Sequence, residues 1–164
     1  MPATMRILIT GASGFVGSYM PQALKNACGD HVEIVATSKT AESHPIYGAI
    51  EALDVMDRAA VSCAIARHAP THVLHLAGIA APAAANVNPR LAWDAHLGSV
   101  LNLSEAILAH APECWLMHIG TGMVYGDSAR SGTPLDEDTL LAPTDGYSAS
   151  KAGADLFLGA MSHG

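Results

Sequence analysis

The run TGASGFVG, residues 10–17, follows directly on the apolar MRILIT and sets glycines at 11, 14 and 17. Few folds place three glycines between a short buried strand and a helix. Gly11 permits a sharp turn out of the strand, Gly14 lets backbone amides approach a ligand, and Gly17 lets the helix pack close to a sheet. Amides at a helix N-terminus, aided by the helix dipole, favour a phosphate. Glycines alone make only a turn. Their place between the first strand and the first helix predicts nucleotide binding.

The rest of the chain repeats the strand–helix alternation. β-branched and apolar runs predict strands over 5–10, 31–38, 49–55, 71–78 and 114–121, the third being the weakest. Pro21 is expected to bend the first helix or to mark an irregular turn. Asp57 can cap a helix to about His68, and Asn88 followed by Pro89 opens another that stops before Pro112. Residues 39–49 and 122–145 look like loops, and a helix bearing Tyr147, capped by Asp145 or Thr144, closes the chain. This order predicts an α/β fold, a doubly wound parallel sheet of the Rossmann type in one domain over 1–164.

Composition narrows the function. Half the residues are hydrophobic and 14% are charged, which excludes intrinsic disorder. The net charge is −7 with only eight scattered Lys and Arg, so no nucleic-acid surface is expected. Cys28, Cys63 and Cys114 are odd in number and lack metal spacing, which fits a reducing, cytoplasmic setting. No signal peptide, and no apolar run long enough for a membrane span, is read from the chain. His72 and His75 have no third ligand, and no metal is expected. Trp93 and Trp115 read as core or interface residues, and residues 136–138, DED, as a solvated turn.

The run YSASK, residues 147–151, puts a tyrosine and a lysine four apart, on one face of a helix. A free phenol is a weak acid–base catalyst at neutral pH, but an adjacent cation stabilises phenolate. An exposed Tyr–Lys pair is the plainer reading of such a helix in isolation. With the GxxGxxG spacing, YSASK resembles the short-chain dehydrogenase/reductase superfamily, in particular its extended branch, the NAD-dependent epimerase/dehydratase group acting on nucleotide sugars. Residues 53–57, LDVMD, resemble that branch's GDxxD region, and residues 75–78, HLAG, its HLAA strand end. Residues 88–107 resemble its P…N…GT.NLLEA helix, and residues 121–126, TGMVYG, its S…VYG strand end.

The resemblance implies Thr121, Tyr147 and Lys151 as the catalytic set. Thr121 would hydrogen-bond the substrate, Tyr147 would carry the proton, and Lys151 would hold the nicotinamide ribose and favour phenolate. It further implies a dinucleotide along Gly11, Ser13, Gly14, Phe15, Val16 and Gly17, with Asp54 and Val55 at the adenine and Leu76, Ala77 and Gly78 lining the cofactor. NAD sites usually carry a carboxylate at the end of the second strand, about 20 residues past the glycines. Here that end reads ATSKT, where Ser38 and Lys39 would accept a 2′-phosphate. NADP(H) is therefore favoured, with NAD(H) possible.

Three departures refine this expectation. The family's helix Asn falls on Ala95, beside Asp94 and His96. Gly122 and Met123 stand where sugar 4,6-dehydratases carry Asp and Glu, which disfavours dehydration. Reduction of a nucleotide-linked 4-keto-6-deoxyhexose is the sharpest expectation, with a 4-epimerase next and a non-catalytic NADP(H)-binding module as the rival of another class. Finally, the extended branch continues past the YxxxK helix into further strands and a substrate domain. The sequence thus reads as the cofactor half of such an enzyme, a fragment or one completed by a partner, with strand 114–121 as an exposed edge. A homodimer through the helices holding Trp93 and Tyr147 follows from the resemblance alone.

Overall fold

A computed structural model describes residues 5–29 and 31–162. They fall into two compact units, one holding the described residues up to Ala77 with Leu101–Ile119 and one holding Gly78–Val100 with those from Gly120 onward.

The first unit holds the sheet. Its strands are β1 (Met5–Thr10), β2 (Val32–Ser38), β3 (Glu42–His44), β4 (Gly48–Ala52), β5 (His72–His75) and β6 (Trp115–His118). They are ordered β3-β4-β2-β1-β5-β6, and every neighbouring pair is parallel except β3 with β4. The direction of winding reverses at β1, with β2 on one side and β5 on the other. In open α/β sheets such a switch point is where ligands bind, at the carboxyl ends of the strands.

Alternation along β1 builds both halves of this core, because successive strand residues face opposite sides. Leu8 joins Val35, Val73, Val61 and Ile65 of α2 (Arg58–His68), and Leu103 and Ile107 of α5 (Ser99–His110). Ile7 and Ile9 join Ala36, Ile50 and Leu74 on the other side, against Met20 and Leu24 of α1 (Met20–Cys28). The parallel sheet is therefore covered on two faces, as its continuous apolar strands require.

Several boundaries differ from expectation for local reasons. Residues 39–49 are not all loop: β3 pairs antiparallel with β4 through Glu42–Ile50 and His44–Gly48. The third parallel strand ends at Ala52, and the chain turns at Asp54 before Asp57 caps α2 through the amides of Ala59 and Ala60. Pro21 lies in the first turn of α1, where its missing N–H costs nothing, so of the two expectations it bends no helix but follows an irregular 3₁₀ turn, Gly17–Tyr19. β6 is the sheet's edge as expected, and Trp115 is 75% exposed, so it is not a core residue.

The second unit is built of short helices around α6 (Gly146–Ser162): α3 (Pro82–Val87), α4 (Pro89–Trp93), a π-helical turn Asp94–Gly98, and a 3₁₀ stretch Gly122–Ser131. Asn88 caps α4 through the Leu91 amide at 3.1 Å, as its place before Pro89 predicts. Tyr147 packs with Ala85, Ala92 and Ile79. No described helix is long and apolar enough to cross a membrane.

Candidate functional site

In the first unit the chain leaves β1 at Gly11, whose φ of +70° is open to few other residues. A Cβ there would lie 2.8 Å from the amide nitrogen of Ala77, after β5. At Gly17 a Cβ would collide with the carbonyl oxygen of Ala12, so the loop closes tightly on itself. The same Gly17 carbonyl accepts the Tyr47 hydroxyl at 2.6 Å. Burial pushes that phenol up to about 12, so it remains a donor at any ordinary pH. Sequence reading missed Tyr47, because nothing local marks a residue 30 positions away as part of the loop.

Gly14, Ser13, Phe15 and Val16 are exposed on the loop, Phe15 by 81%. This tight turn with an open outer side, at the sheet's switch point, fits a pyrophosphate. Leu76 and Ala77 are tied to β1, their amides bonding Thr10 O at 3.2 Å and Thr10 Oγ1 at 3.3 Å. Thr10 Oγ1 also lies 2.7 Å from Nδ1 of the buried His75. Asp54 accepts the Met56 amide through Oδ1 at 3.0 Å, and the carbonyl of the buried Val55 accepts Asn102 Nδ2 at 3.0 Å.

The end of β2 carries more charge than its own sequence shows. Lys39 Nζ lies 3.4 Å from Asp54 Oδ2. Ser38 is buried, and its hydroxyl lies 2.6 Å from the Thr40 carbonyl oxygen and 3.0 Å from Glu42 Oε1. A carboxylate thus reaches this corner from β3, a strand that sequence reading did not find.

In the second unit Asp145 opens α6. Its Oδ1 accepts the Ser148 amide and the Ser148 hydroxyl, both at 2.7 Å, and its own amide lies 3.3 Å from Ser148 Oγ. These reciprocal bonds satisfy donors that a helix start leaves over. They hold the Asp145 carboxyl below the usual carboxylate range, the Ser148 amide contributing most. Asn86 Oδ1 adds a cap at 3.3 Å to the Tyr147 amide.

Tyr147 and Lys151 then fall on one face of α6, and both are buried, 7% and 8% exposed. Burial lowers the Lys151 ammonium from its ordinary range. A Cβ at Gly78 would stand 3.8 Å from Lys151 Nζ and 3.7 Å from His96 Nε2, so these three residues share one corner. Thr121 lies half-buried at the head of the 3₁₀ stretch, its Oγ1 accepting the Met123 amide at 3.3 Å.

His96 is named by the sequence only as a neighbour of Ala95, with no role assigned. Ala95, expected at the family's Asn position, is a buried methyl whose carbonyl accepts Ser99 Oγ at 2.7 Å. The wide turn Asp94–Gly98 shifts the register, and the imidazole of His96 instead reaches the Ile79 backbone. The surplus residue of a π-turn leaves no mark in a sequence read at α-helical spacing.

The family model described as "NAD dependent epimerase/dehydratase family" matches residues 7–163. A GDP-6-deoxy-D-mannose reductase of Pseudomonas aeruginosa is 27% identical, covering 93% of this chain and 45% of its own length. The crystal structure of a Thermus thermophilus UDP-glucose 4-epimerase with NAD superposes with a TM-score of 0.83 at 28% identity, covering 97% of this chain and 51% of that one. A Pseudomonas aeruginosa RMD complexed with NADPH gives 0.73 at 27% identity, with 94% and 47% covered. The chain spans about half the length of the curated relatives it matches.

Proposed function

We propose, from the premise that the chain belongs to the NAD dependent epimerase/dehydratase family, that it forms the dinucleotide-binding and proton-transfer part of a nucleotide-sugar oxidoreductase. One observation carries this reading: Tyr147 and Lys151 are both buried on one face of α6, where a surface pair would be solvated. Gly11, Ser13, Gly14, Phe15, Val16 and Gly17 would hold the pyrophosphate of NAD(P)(H), and Asp54 and Val55 its adenine. Leu76, Ala77 and Gly78 would line it. Bound nicotinamide supplies the hydride chemistry.

The chain's own groups supply the rest. Thr121 would hydrogen-bond the reacting oxygen, and Tyr147 would give that oxygen its proton as the adjacent carbon is reduced, or take it in reverse. Lys151 would hold the ribose and, as a cation one turn away, favour the phenolate that remains. Gly122 and Met123 bring no acid or base, which favours reduction of a 4-keto-6-deoxyhexose over elimination of water, with 4-epimerisation as the alternative. Lys39 favours NADP(H), since its exposed ammonium can face a 2′-phosphate, and Ser38 would join it only by leaving Glu42.

The test is direct. Nicotinamide fluorescence on adding the chain to NADPH or NADH reads binding. Absorbance at the reduced cofactor's band then follows oxidation by a panel of nucleotide-linked 4-keto-6-deoxyhexoses. Binding with turnover supports the reductase. Interconversion of UDP-hexoses without net oxidation supports the epimerase. Binding with neither, in the complete natural polypeptide, supports a non-catalytic dinucleotide-binding module.

A further inference from the structure

His96 is fully buried with both ring nitrogens engaged. Nδ1 lies 2.7 Å from Ser150 Oγ, and Nε2 lies 3.2 Å from the Ile79 amide nitrogen and 3.1 Å from the Ile79 carbonyl oxygen. Ser150 Oγ lies 2.8 Å from the Tyr147 carbonyl oxygen. A hydroxyl has one hydrogen to give. If Ser150 donates it to Tyr147, the serine oxygen accepts from Nδ1–H, and Nε2 is left to accept the Ile79 N–H. That single assignment makes a continuous chain of donors, from Ile79 through His96 and Ser150 to Tyr147. The other neutral tautomer gives up the Ser150–Tyr147 bond and takes away the acceptor facing Ile79 N–H. Protonation gives up the bond from Ile79 N–H, leaves Nε2–H only the Ile79 carbonyl oxygen at 3.1 Å, and places a second cation beside Lys151.

We propose that His96 is a positioning residue for Tyr147 and Lys151, its neutral imidazole tying the Gly78–Ile79 turn to the helix that bears both. The inference rests on the reading of that pair as the proton-transfer machinery. The ring of Tyr147 meets the imidazole edge to face at 5.5 Å, and Lys151 Nζ approaches the same point beside Gly78 as Nε2 does. The groups facing His96 from α6 are therefore Tyr147 and Lys151. The 78–81 turn and α3 contribute no titratable side chain, and on the adjoining segment Arg90 is paired with Asp94 at 3.4 Å. Burial first, then the Lys151 ammonium, holds the imidazole below its ordinary range against a smaller upward pull from the Ile79 bond. Because the folded value is lowered, the tie is complete above the ordinary histidine value of about 6.5. It weakens as pH falls below that and through the lowered value.

Two measurements decide it. Long-range ¹H–¹⁵N spectra of the histidine-labelled chain read the tautomer with no cofactor and no substitution, and Nδ1–H is expected at neutral pH. Dissociation constants for NADPH and NADH are then measured by fluorescence from about pH 8 to about pH 5.5. Unmodified chain is expected to lose affinity progressively towards the acid end, reaching about tenfold, the scale set by a misplaced contact, only once the pH passes below the lowered imidazole value. His96→Gln keeps an acceptor for Ile79 but cannot titrate, so it should bind within about threefold of the unmodified chain at pH 8 and lack the acid limb. His96→Leu should bind about tenfold more weakly throughout. An Nε2–H tautomer, an acid limb that survives in His96→Gln, or full affinity in His96→Leu would overturn the tie. Absence of binding by the unmodified chain at every pH would overturn the dinucleotide reading instead, and the tautomer would still judge His96.

Discussion

The Glu42 carboxylate stands 3.0 Å from the hydroxyl of Ser38 at the end of β2, while Lys39 beside it pairs with Asp54 at 3.4 Å. Both groups proposed to meet a 2′-phosphate are thus held by carboxylates before any dinucleotide arrives. A like charge about 4 Å from a phosphate in water-like surroundings costs about 1 kcal/mol, or roughly fivefold in affinity. Glu42→Gln should therefore tighten NADPH about fivefold and leave NADH nearly unchanged. Lys39→Ala should weaken NADPH by a similar factor. Competition of the two dinucleotides by fluorescence checks both, and equal effects on NADH and NADPH would remove this corner from cofactor choice.

Tyr147→Phe deletes only the hydroxyl and keeps the ring that packs on Ala85 and Ala92. Fold and dinucleotide affinity should survive, within about threefold, while turnover in the complete natural polypeptide falls by roughly 10²–10⁴. Single-turnover oxidation of NADPH by a keto-sugar nucleotide measures this. Undiminished turnover would end the role of Tyr147 as proton donor.

The glycine loop and the strand–helix alternation were legible because each rests on residues adjacent in the chain. Gly11 and Gly17 announce their tight turn locally, and Asp57 and Asn88 sit where caps must. What escaped depends on distance or register. β3 is three residues of mostly polar sequence, made a strand only by β4 beside it. Tyr47 joins the glycine loop from 30 residues away. His96 faces Ile79 only because a π-turn displaces Ala95. The candidate site was therefore half visible: its motif residues and the Asp145 cap were, while Glu42, Tyr47 and His96 were not.

Ala69, after α2, has φ +41° and ψ 59°, the left-handed conformation that ends many helices but suits glycine. An L-residue there costs roughly 1–2 kcal/mol, and glycine's extra chain entropy returns about 0.5–1 of that. Ala69→Gly should raise unfolding stability by about 0.5–1 kcal/mol and leave dinucleotide affinity alone. Urea denaturation at constant m-value checks it, and a loss of stability would mean that Ala69 is unstrained.

Asp145 links the stability of α6 to pH. Its carboxyl is held below the usual range by the Ser148 amide and hydroxyl, so the folded state prefers it ionised. A lowered carboxylate value stabilises the fold fully above the unfolded value of about 3.9, and this contribution fades as pH falls through the lowered folded value. Asp145→Ala should cost about 1 kcal/mol at neutral pH, the usual worth of a helix cap. Asp145→Asn keeps an oxygen for the Ser148 amide, so it should cost less and lose its pH dependence. Thermal denaturation of all three chains between neutral pH and the acid limit separates these outcomes. The gap between the parent chain and Asp145→Ala should close at low pH, and a constant gap would show that the bonds to Ser148 do not depend on the charge. The cap sits two residues before Tyr147, so the alanine variant should also weaken dinucleotide binding where the fold itself survives.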